Sequence, residues 1–178
     1  MIRIDQDTQL EPVAEEMAPV FQRLVSENYA YLAEWLEWPR HCKTREAFSD
    51  FISAERRRAQ QADGMSFAII YRGLIVGMIS FNAIYADLQR ADIGYWLIQS
   101  YQGLGIMTRA CQAMTEHAFA HLNVSKVQVS VAAENLPSRA VCERLGMQLE
   151  GVISHREKVG DRILSHAVYA AFIRDNLV

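Results

Sequence analysis

Gln102-Gly103-Leu104-Gly105-Ile106-Met107 decides how the rest of the chain is read. The run Asp92-Ile93-Gly94-Tyr95-Trp96-Leu97 before it has the composition of a strand, and Met107, Cys111, Met114, Ala118 and Leu122 after it recur at the spacing of one helical face. Strand, tight loop and helix together make a place where an anion can sit. Closely spaced glycines let successive backbone N–H groups point into a small concavity, and the unpaired N–H groups of the first helical turn, at the positive end of its dipole, complete it. A tight strand-to-helix connection with no ligand fits the same glycines, so the loop by itself leaves both readings open. Two nucleotide-binding motifs are excluded. No Gly-Lys-Ser/Thr follows, as a Walker loop requires, and the third glycine of the dinucleotide fingerprint would fall at Thr108.

Outward from this centre, Ile2 and Ile4 alternate with Arg3 and Asp5 as a short half-buried strand, which Leu10 to Val13 extends or pairs with. Met17, Val20, Phe21, Leu24 and Val25 share a helical face from Glu15 onward, with Pro19 in the first turn. The aromatic segment Tyr29 to Pro39 fits either a lid over the core or a wall of a binding groove. Thr44 caps a helix carrying Glu46, Phe48, Phe51 and Ile52, and Gly64 is expected near its C′ position. Ser66 to Tyr71 and Leu74 to Ser80 form a hairpin across Arg72-Gly73; Asn82, just past its second strand, is either a turn residue or part of a pocket.

After the helix from about Ile106 to His121, Val127, Val129 and Val131 alternate with Gln128 and Ser130 as a strand. Strand, helix and strand in so short a span imply a parallel pair with a right-handed crossover. Asn135 caps a short helix with Pro137 in its first turn and Gly146 past its end, and Met147 to Lys158 with Arg162 to Ile173 make a last hairpin around Gly160-Asp161. The sum is an α+β fold, a sheet of mixed direction flanked by helices.

A chain of 178 residues, 51% hydrophobic with four prolines, has room for one compact domain, taken as residues 1–178. The net charge of −3 argues against nucleic-acid binding through bulk phosphate attraction, and the basic run Arg56-Arg57-Arg58 fits a solvated helix face. Cys42, Cys111 and Cys142 have no C-x-x-C spacing, and their odd number suits reduced thiols, so no disulfide and no metal site is expected. The residues Met1 to Asp5 lack the apolar core of a signal peptide, and no window approaches about eighteen uncharged apolar residues. A cytoplasmic protein away from any membrane is expected.

Ile93-Gly94-Tyr95-Trp96, Tyr101-Gln102-Gly103, Gly105-Ile106-Met107-Thr108, Asn135 with Ser138, Glu143-Arg144-Leu145-Gly146 and Glu150-Gly151 fall at a familiar spacing. The chain resembles the GNAT superfamily of acetyl-CoA-dependent N-acetyltransferases, and within it the RimJ/RimL branch, which includes enzymes that acetylate the N-terminal amine of ribosomal proteins. The resemblance runs from about Leu10 to Tyr169; one departure is Met107, where the general pattern has Gly or Ala. It implies a GNAT fold whose strands splay apart at the parallel pair, with acetyl-CoA lying in that V. Gln102, Gly103, Leu104, Gly105, Ile106, Met107 and Thr108 would then hold the pyrophosphate, and backbone groups near Leu97, Ile98 and Gln99 would pair with the pantetheine arm. Asn135 would hold the cofactor or a catalytic water while capping its helix. The resemblance also places Trp35 and Trp38 beside the acceptor groove, with Glu34 and Glu37 attracting a cationic amine; the pocket open to Asn82 would be that of the acceptor. A homodimer is a family-level expectation.

Forming an amide from a thioester requires a neutral amine, a polarised carbonyl and a proton for the departing thiolate. Glu157 is the first candidate for the base, because it matches a glutamate on the penultimate strand of RimL-like enzymes; a surface carboxylate paired with Arg156 or Lys158 is the other reading. Asp92, where many GNAT members use a glutamate, is the second. The tyrosine that many members use as the acid is replaced by Cys142, and the RimL-like branch offers a serine at Ser138 instead; local bonding to the helix N-terminus is its other reading. A backbone N–H near Leu97 would meet the oxyanion. Val131 stands where some RimL-like enzymes have a cysteine, so direct attack by the amine in a ternary complex is expected. The acceptor most in keeping is the N-terminal α-amine of a ribosomal protein, whose ordinary pKa of ~7.7–8.0 asks less of a base than the ~10.4 of lysine. A polyamine, an aminoglycoside, or a non-catalytic acyl-CoA-binding module are the alternatives.

Overall fold

The computed structural model describes residues 1–173; residues 174–178, the end of the expected domain, lie outside the described residues. The glycine loop does join a strand to a helix. Strand β5 (Arg90–Leu97) runs into a 3-10 turn at Gln99–Tyr101, and helix α4 (Ile106–His121) starts directly after Gly105. Met107, Cys111, Met114 and Ala118 are buried along α4 together with Ile106 and Ala110, while Leu122 is half-buried at its end.

Seven further strands make one eight-stranded sheet with β5: β1 (Ile2–Arg3), β2 (Thr8–Pro12), β3 (Met65–Tyr71), β4 (Leu74–Tyr85), β6 (Lys126–Ala132), β7 (Gln148–Val159) and β8 (Arg162–Phe172). Their order is β1-β2-β3-β4-β5-β6-β8-β7, antiparallel at every junction except the parallel pair β5–β6. That pair extends only from Arg90↔Lys126 to Ile93↔Val129. Beyond it Gly94 to Leu97 and Ser130 to Ala132 have no partner across the junction, so the sheet opens there. A bulge in β4 between Phe81 and Ala83 sits at the same level, opposite Asp92 and Ile93. Bulges sharpen local twist, which gives a physical cause for the two halves of the sheet diverging at this point.

Four other helices complete the fold: α1 (Ala18–Glu27), α2 (Tyr29–Leu32), α3 (Arg45–Gln60) and α5 (Leu136–Arg144). Pro19 does fall in the first turn of α1, which a 3-10 turn at Glu15–Met17 precedes. α1 packs on α3, α3 on β3, and α4 on β2, β5 and β6. Phe21 of α1 meets Trp96 of β5 edge-on, with ring centroids 6.1 Å apart, and Trp38 lies 5.9 Å from the same indole. Thr44 caps α3 by accepting from the Ala47 N–H at 3.2 Å, as its sequence position implies.

Two local expectations are corrected. The left-handed residue past α3 is Ala62 (φ 58), sealed by the Asp63 N–H donating to the Arg58 carbonyl at 3.1 Å, so Gly64 is left to lead into β3 instead of ending the helix. Asn82 does not lie past a strand: β4 continues to Tyr85, and Asn82 is its bulge residue.

Gly77 of β4 marks a close approach of two backbones. A Cβ there would run into the Trp96 carbonyl oxygen and lie 3.0 Å from Leu97 Cα, where no flexible side chain can give way. Gly77→Ala is expected to cost about 1–3 kcal/mol, read as a lower denaturant midpoint at unchanged slope. Gly151→Ala on β7, where a Cβ meets nothing within 4 Å, is the control and is expected to stay within about 0.5 kcal/mol.

Candidate active site

The parting of β5 from β6 opens a cleft of about 1570 Å³. Leu97 and Tyr95 line it from β5, Ser130 and Val131 from β6, Asn135 and Ser138 from the start of α5, and the glycine loop closes one end.

At that end Gly103 (φ +75) and Gly105 (φ +70) are both left-handed, the conformation that glycine adopts without strain. A Cβ on Gly103 would enter open space, and one on Gly105 would lie 2.9 Å from Arg109 Nη1. No side chain caps α4, so the first-turn N–H groups of Ile106, Met107 and Thr108 face the loop without a side-chain acceptor. Arg144 of α5 reaches across to donate to Thr108 Oγ1 at 3.4 Å, adding a cation beside this anion-binding turn. Gln102 donates through Nε2 to the Tyr31 hydroxyl, which ties the loop to α2.

Not every expected contact residue reaches the cleft. Leu97 lines it, but Ile98 and Gln99 do not: the Ile98 N–H donates to the Val76 carbonyl at 2.9 Å and the Gln99 N–H to Asn28 Oδ1 at 3.4 Å. Leu104 points outward, 49% exposed and off the lining, whereas Gln102, Gly103, Gly105, Ile106, Met107 and Thr108 are on it. Asp92 lies within the closed part of the parallel ladder, 2.9 Å from Arg90 Nε, and outside the cleft. Glu37 is spent elsewhere. It accepts from the Gly160 N–H at 2.7 Å and from Arg40 Nε at 3.2 Å, with His41 Nε2 also at 3.2 Å, and so fastens the β7–β8 turn from outside the cleft lining. The Gly160 N–H, with His41 and Arg40, holds its carboxyl below the usual range.

Trp35 and Trp38 are wall and lid at once. Both line the cleft; Trp38 also packs on Phe48 and Trp96, and Trp35 on the small cluster of Ala132, Val159 and Leu164, with the Arg162 guanidinium over its ring. Asn82 lines the cleft too.

Asn135 caps α5 by accepting from the Ser138 N–H at 3.2 Å, which leaves the Ser138 hydroxyl free of the helix terminus. That hydroxyl donates to Tyr95 Oη at 3.0 Å, and the Tyr95 hydroxyl donates to the Ser138 carbonyl at 3.1 Å. Burial, with Cys111 and Cys142 beside it, pushes the Tyr95 phenol well above its usual pKa, so it keeps its proton. Burial also pushes the Cys142 thiol up to about 11 and raises Cys111 well above its ordinary value. Neither thiol is a nucleophile near neutral pH.

Glu157 follows a wide bulge in β7, where the register slips between Ile153 and Glu157 and His155 takes φ +53. The bulge turns its carboxylate toward the cleft, 39% exposed, and it forms no ion pair with Arg156 or Lys158 among the described residues. Its Oε2 stands 3.1 Å from His166 Nε2, an ion-pair distance without hydrogen-bond alignment. His166 is 9% exposed, and its Nδ1 lies 2.9 Å from Ser130 Oγ. Tyr95, Ser130, His166 and Arg144 also line the cleft, and sequence alone gives none of them a role there. His166 leaves a local trace, a polar ring at the head of the apolar run Ala167 to Ala171.

A mixed sheet split at its parallel pair, with an uncapped helix start behind a glycine loop, is the arrangement expected of an acetyl-CoA-dependent acetyltransferase. The family model described as acetyltransferase (GNAT) domain matches residues 8–148, and the chain belongs to that family. It is similar to the ribosomal-protein-serine acetyltransferase of Escherichia coli (strain K12), 28% identical over 172 residues, 97% of this chain and 96% of the relative. Among solved structures it is similar to RimL, a ribosomal L7/L12 alpha-N-protein acetyltransferase in complex with coenzyme A, with a TM-score of 0.93, 28% identity and 97% of each chain covered. The microcin C7 self immunity acetyltransferase MccE, in complex with acetyl-CoA and AMP, gives a TM-score of 0.91 at 25% identity over 96% of this chain and 94% of that one. Acetyl-CoA is the acetyl donor. The residues present fit it: uncapped amides and Arg144 suit a pyrophosphate, and the unpartnered edge of β5 from Gly94 to Leu97 suits the amides of a pantetheine arm. No helix among the described residues is long and apolar enough to cross a membrane.

Proposed function

We propose that this chain, read as one catalytic unit over residues 1–178, transfers an acetyl group to the N-terminal α-amine of a ribosomal protein by direct attack in a ternary complex. The observation that carries this reading is that one cleft gathers the glycine loop, a carboxylate left free by its own neighbours and a hydroxyl left free by its own helix. The names of the E. coli relative and of RimL support the choice of acceptor, and the cytoplasm, where ribosomal proteins are made, is the compartment that goes with it.

Acetyl-CoA supplies an activated thioester carbonyl. Gly103, Gly105 and the first-turn amides of α4 hold the anionic end, and the free edge of β5 at Leu97 aligns the arm and offers an N–H to the carbonyl oxygen. Glu157 takes a proton from the incoming ammonium. Ser138, held by Tyr95, turns its proton to the departing sulfur. Cys142 and Cys111 stay protonated and take no acyl group, which is why direct attack is favoured over a cysteine relay.

The test is thiol release from acetyl-CoA against Ser- and Ala-starting ribosomal N-terminal peptides, spermidine and an aminoglycoside, with both substrates varied. Release with the peptides and intersecting double-reciprocal lines is the expected result. Release with spermidine alone overturns the acceptor, and parallel lines overturn direct attack. Ser138→Ala is expected to lower kcat by about 10²-fold with acetyl-CoA affinity unchanged, and Tyr95→Phe to lower it less.

A further inference from the structure

We propose that His166 is the proton-accepting partner of Glu157 and forms with Ser130 a carboxylate–imidazole–hydroxyl relay in the cleft wall. This inference rests on the acetyl-transfer reading, in which Glu157 is the base.

Burying an imidazole is unfavourable unless its nitrogens are met; Nδ1 of His166 has Ser130 Oγ at 2.9 Å, whereas the buried Nε2 has no aligned hydrogen bond and stands 3.1 Å from Glu157 Oε2, and both of these groups line the cleft. Three different strands contribute: Glu157 stands on β7, His166 on β8 and Ser130 on β6. Within ion-pair distance Glu157 is the one charged group facing the ring among the described residues; Arg156 stands beside it on β7, and β6 offers only the Ser130 hydroxyl. The β7 bulge brings Glu157 near His166: Ile153 is the cross-strand partner of His166, and the register shift that follows sets Glu157 opposite Leu164, two residues from His166, where an unbroken register would set it opposite Arg162.

The chemistry needs such a partner. An α-ammonium titrates near ~7.7–8.0 and a carboxylic acid ordinarily near ~4.3, so handing the proton to a carboxylate alone is steeply uphill; an imidazole, ordinarily near ~6.5, closes most of that gap. In this relay the neutral ring carries its proton on Nδ1, donating to Ser130 Oγ, and turns the Nε2 lone pair toward Glu157. The ammonium loses one proton to Glu157, which passes it to Nε2. The imidazolium keeps its Nδ1 proton on Ser130 Oγ and, once the product has left, returns the Nε2 proton to solvent through the Glu157 carboxylate, which is 39% exposed. The second proton, lost by the nitrogen as the C–N bond forms and the C–S bond breaks, goes to the departing sulfur through Ser138. One proton leaves per turnover and each side chain is restored.

His166 acts through Glu157 and is therefore a positioning residue. His166→Gln is expected to lower kcat about tenfold or more at neutral pH, with acetyl-CoA affinity unchanged and a defect that shrinks as pH rises past the amine's own pKa. Ser130→Ala, which leaves the ring in place, is expected to move kcat the same way by a smaller factor. A loss equal at all pH values assigns His166 to packing and overturns the relay, as does a wild-type rate in H166Q. The ring nitrogen shifts of the wild-type protein are an independent check: a neutral ring protonated at Nε2 overturns the relay whatever the kinetics show. If the wild-type protein itself turns over no acceptor, the acetyl-transfer reading fails and the relay with it; that outcome differs from an active wild type matched by H166Q, which sinks the relay alone.

Discussion

Glu157→Gln is expected to lower kcat by about 10²- to 10⁴-fold while leaving acetyl-CoA affinity at the wild-type value. The amide has the shape of the carboxylate and keeps an oxygen toward His166, so the bulged edge of β7 has no reason to refold. What it lacks is the capacity to accept a proton. The dependence on pH follows from the acceptor: below ~7.7–8.0 an α-amine is mostly protonated and must be relieved of a proton before it attacks, whereas above that range it is neutral without help. The defect of E157Q is therefore expected to be largest at low pH and to narrow as pH rises. A pH-independent loss would assign the carboxylate to structure. A protein that binds acetyl-CoA and has no measurable rate with any amine, wild type included, would be a binding module with nothing for this substitution to remove.

Gly105→Val is expected to have the complementary signature, raising the Kd for acetyl-CoA about 10- to 100-fold with the fold intact. Residue 105 is exposed, so its side chain disturbs no core, but its φ of +70 is a conformation that costs a residue with a Cβ ~1–2 kcal/mol, and a β-branched one more. The new Cβ would also lie 2.9 Å from Arg109 Nη1. Relief comes by letting the loop change conformation, which scatters the amides that α4 presents. Each ~1.4 kcal/mol lost there is a factor of ten in affinity. Isothermal titration with acetyl-CoA, beside a thermal melt that stays near the wild-type midpoint, separates this effect from E157Q, which is expected to lose rate and keep affinity.

Much of the scaffold was legible because its signals are local. Thr44 and Asn135 announce themselves as caps by residue type and position, the stripe of α4 is continuous in sequence, and the parallel pair follows from the short path between Leu97 and Lys126. Beyond the glycine loop and the tryptophans, the roles of the cleft residues were legible only where the family resemblance supplied them. Tyr95 and Ser138 meet across 43 positions, Ser130 and His166 across 36, and Glu37 is drawn off to Gly160 across 123. Nothing in local spacing encodes such contacts. Glu157 makes the same point physically. Flanked by Arg156 and Lys158, it reads as a surface ion pair until the bulge at His155 turns it away from both. Asp92 runs the other way: a carboxylate at the start of a strand looks available, but it stands where the parallel ladder is still paired, with Arg90 Nε 2.9 Å away.

The most direct test of acetyl transfer in this cleft is mass spectrometry of intact, unacetylated ribosomal proteins incubated with the purified protein and acetyl-CoA, with the modified nitrogen located by fragmentation. A single acetyl group on the N-terminal α-nitrogen, absent when E157Q replaces the wild type, is the predicted result. Acetylation confined to lysine ε-nitrogens, or α-acetylation undiminished in E157Q, would contradict it.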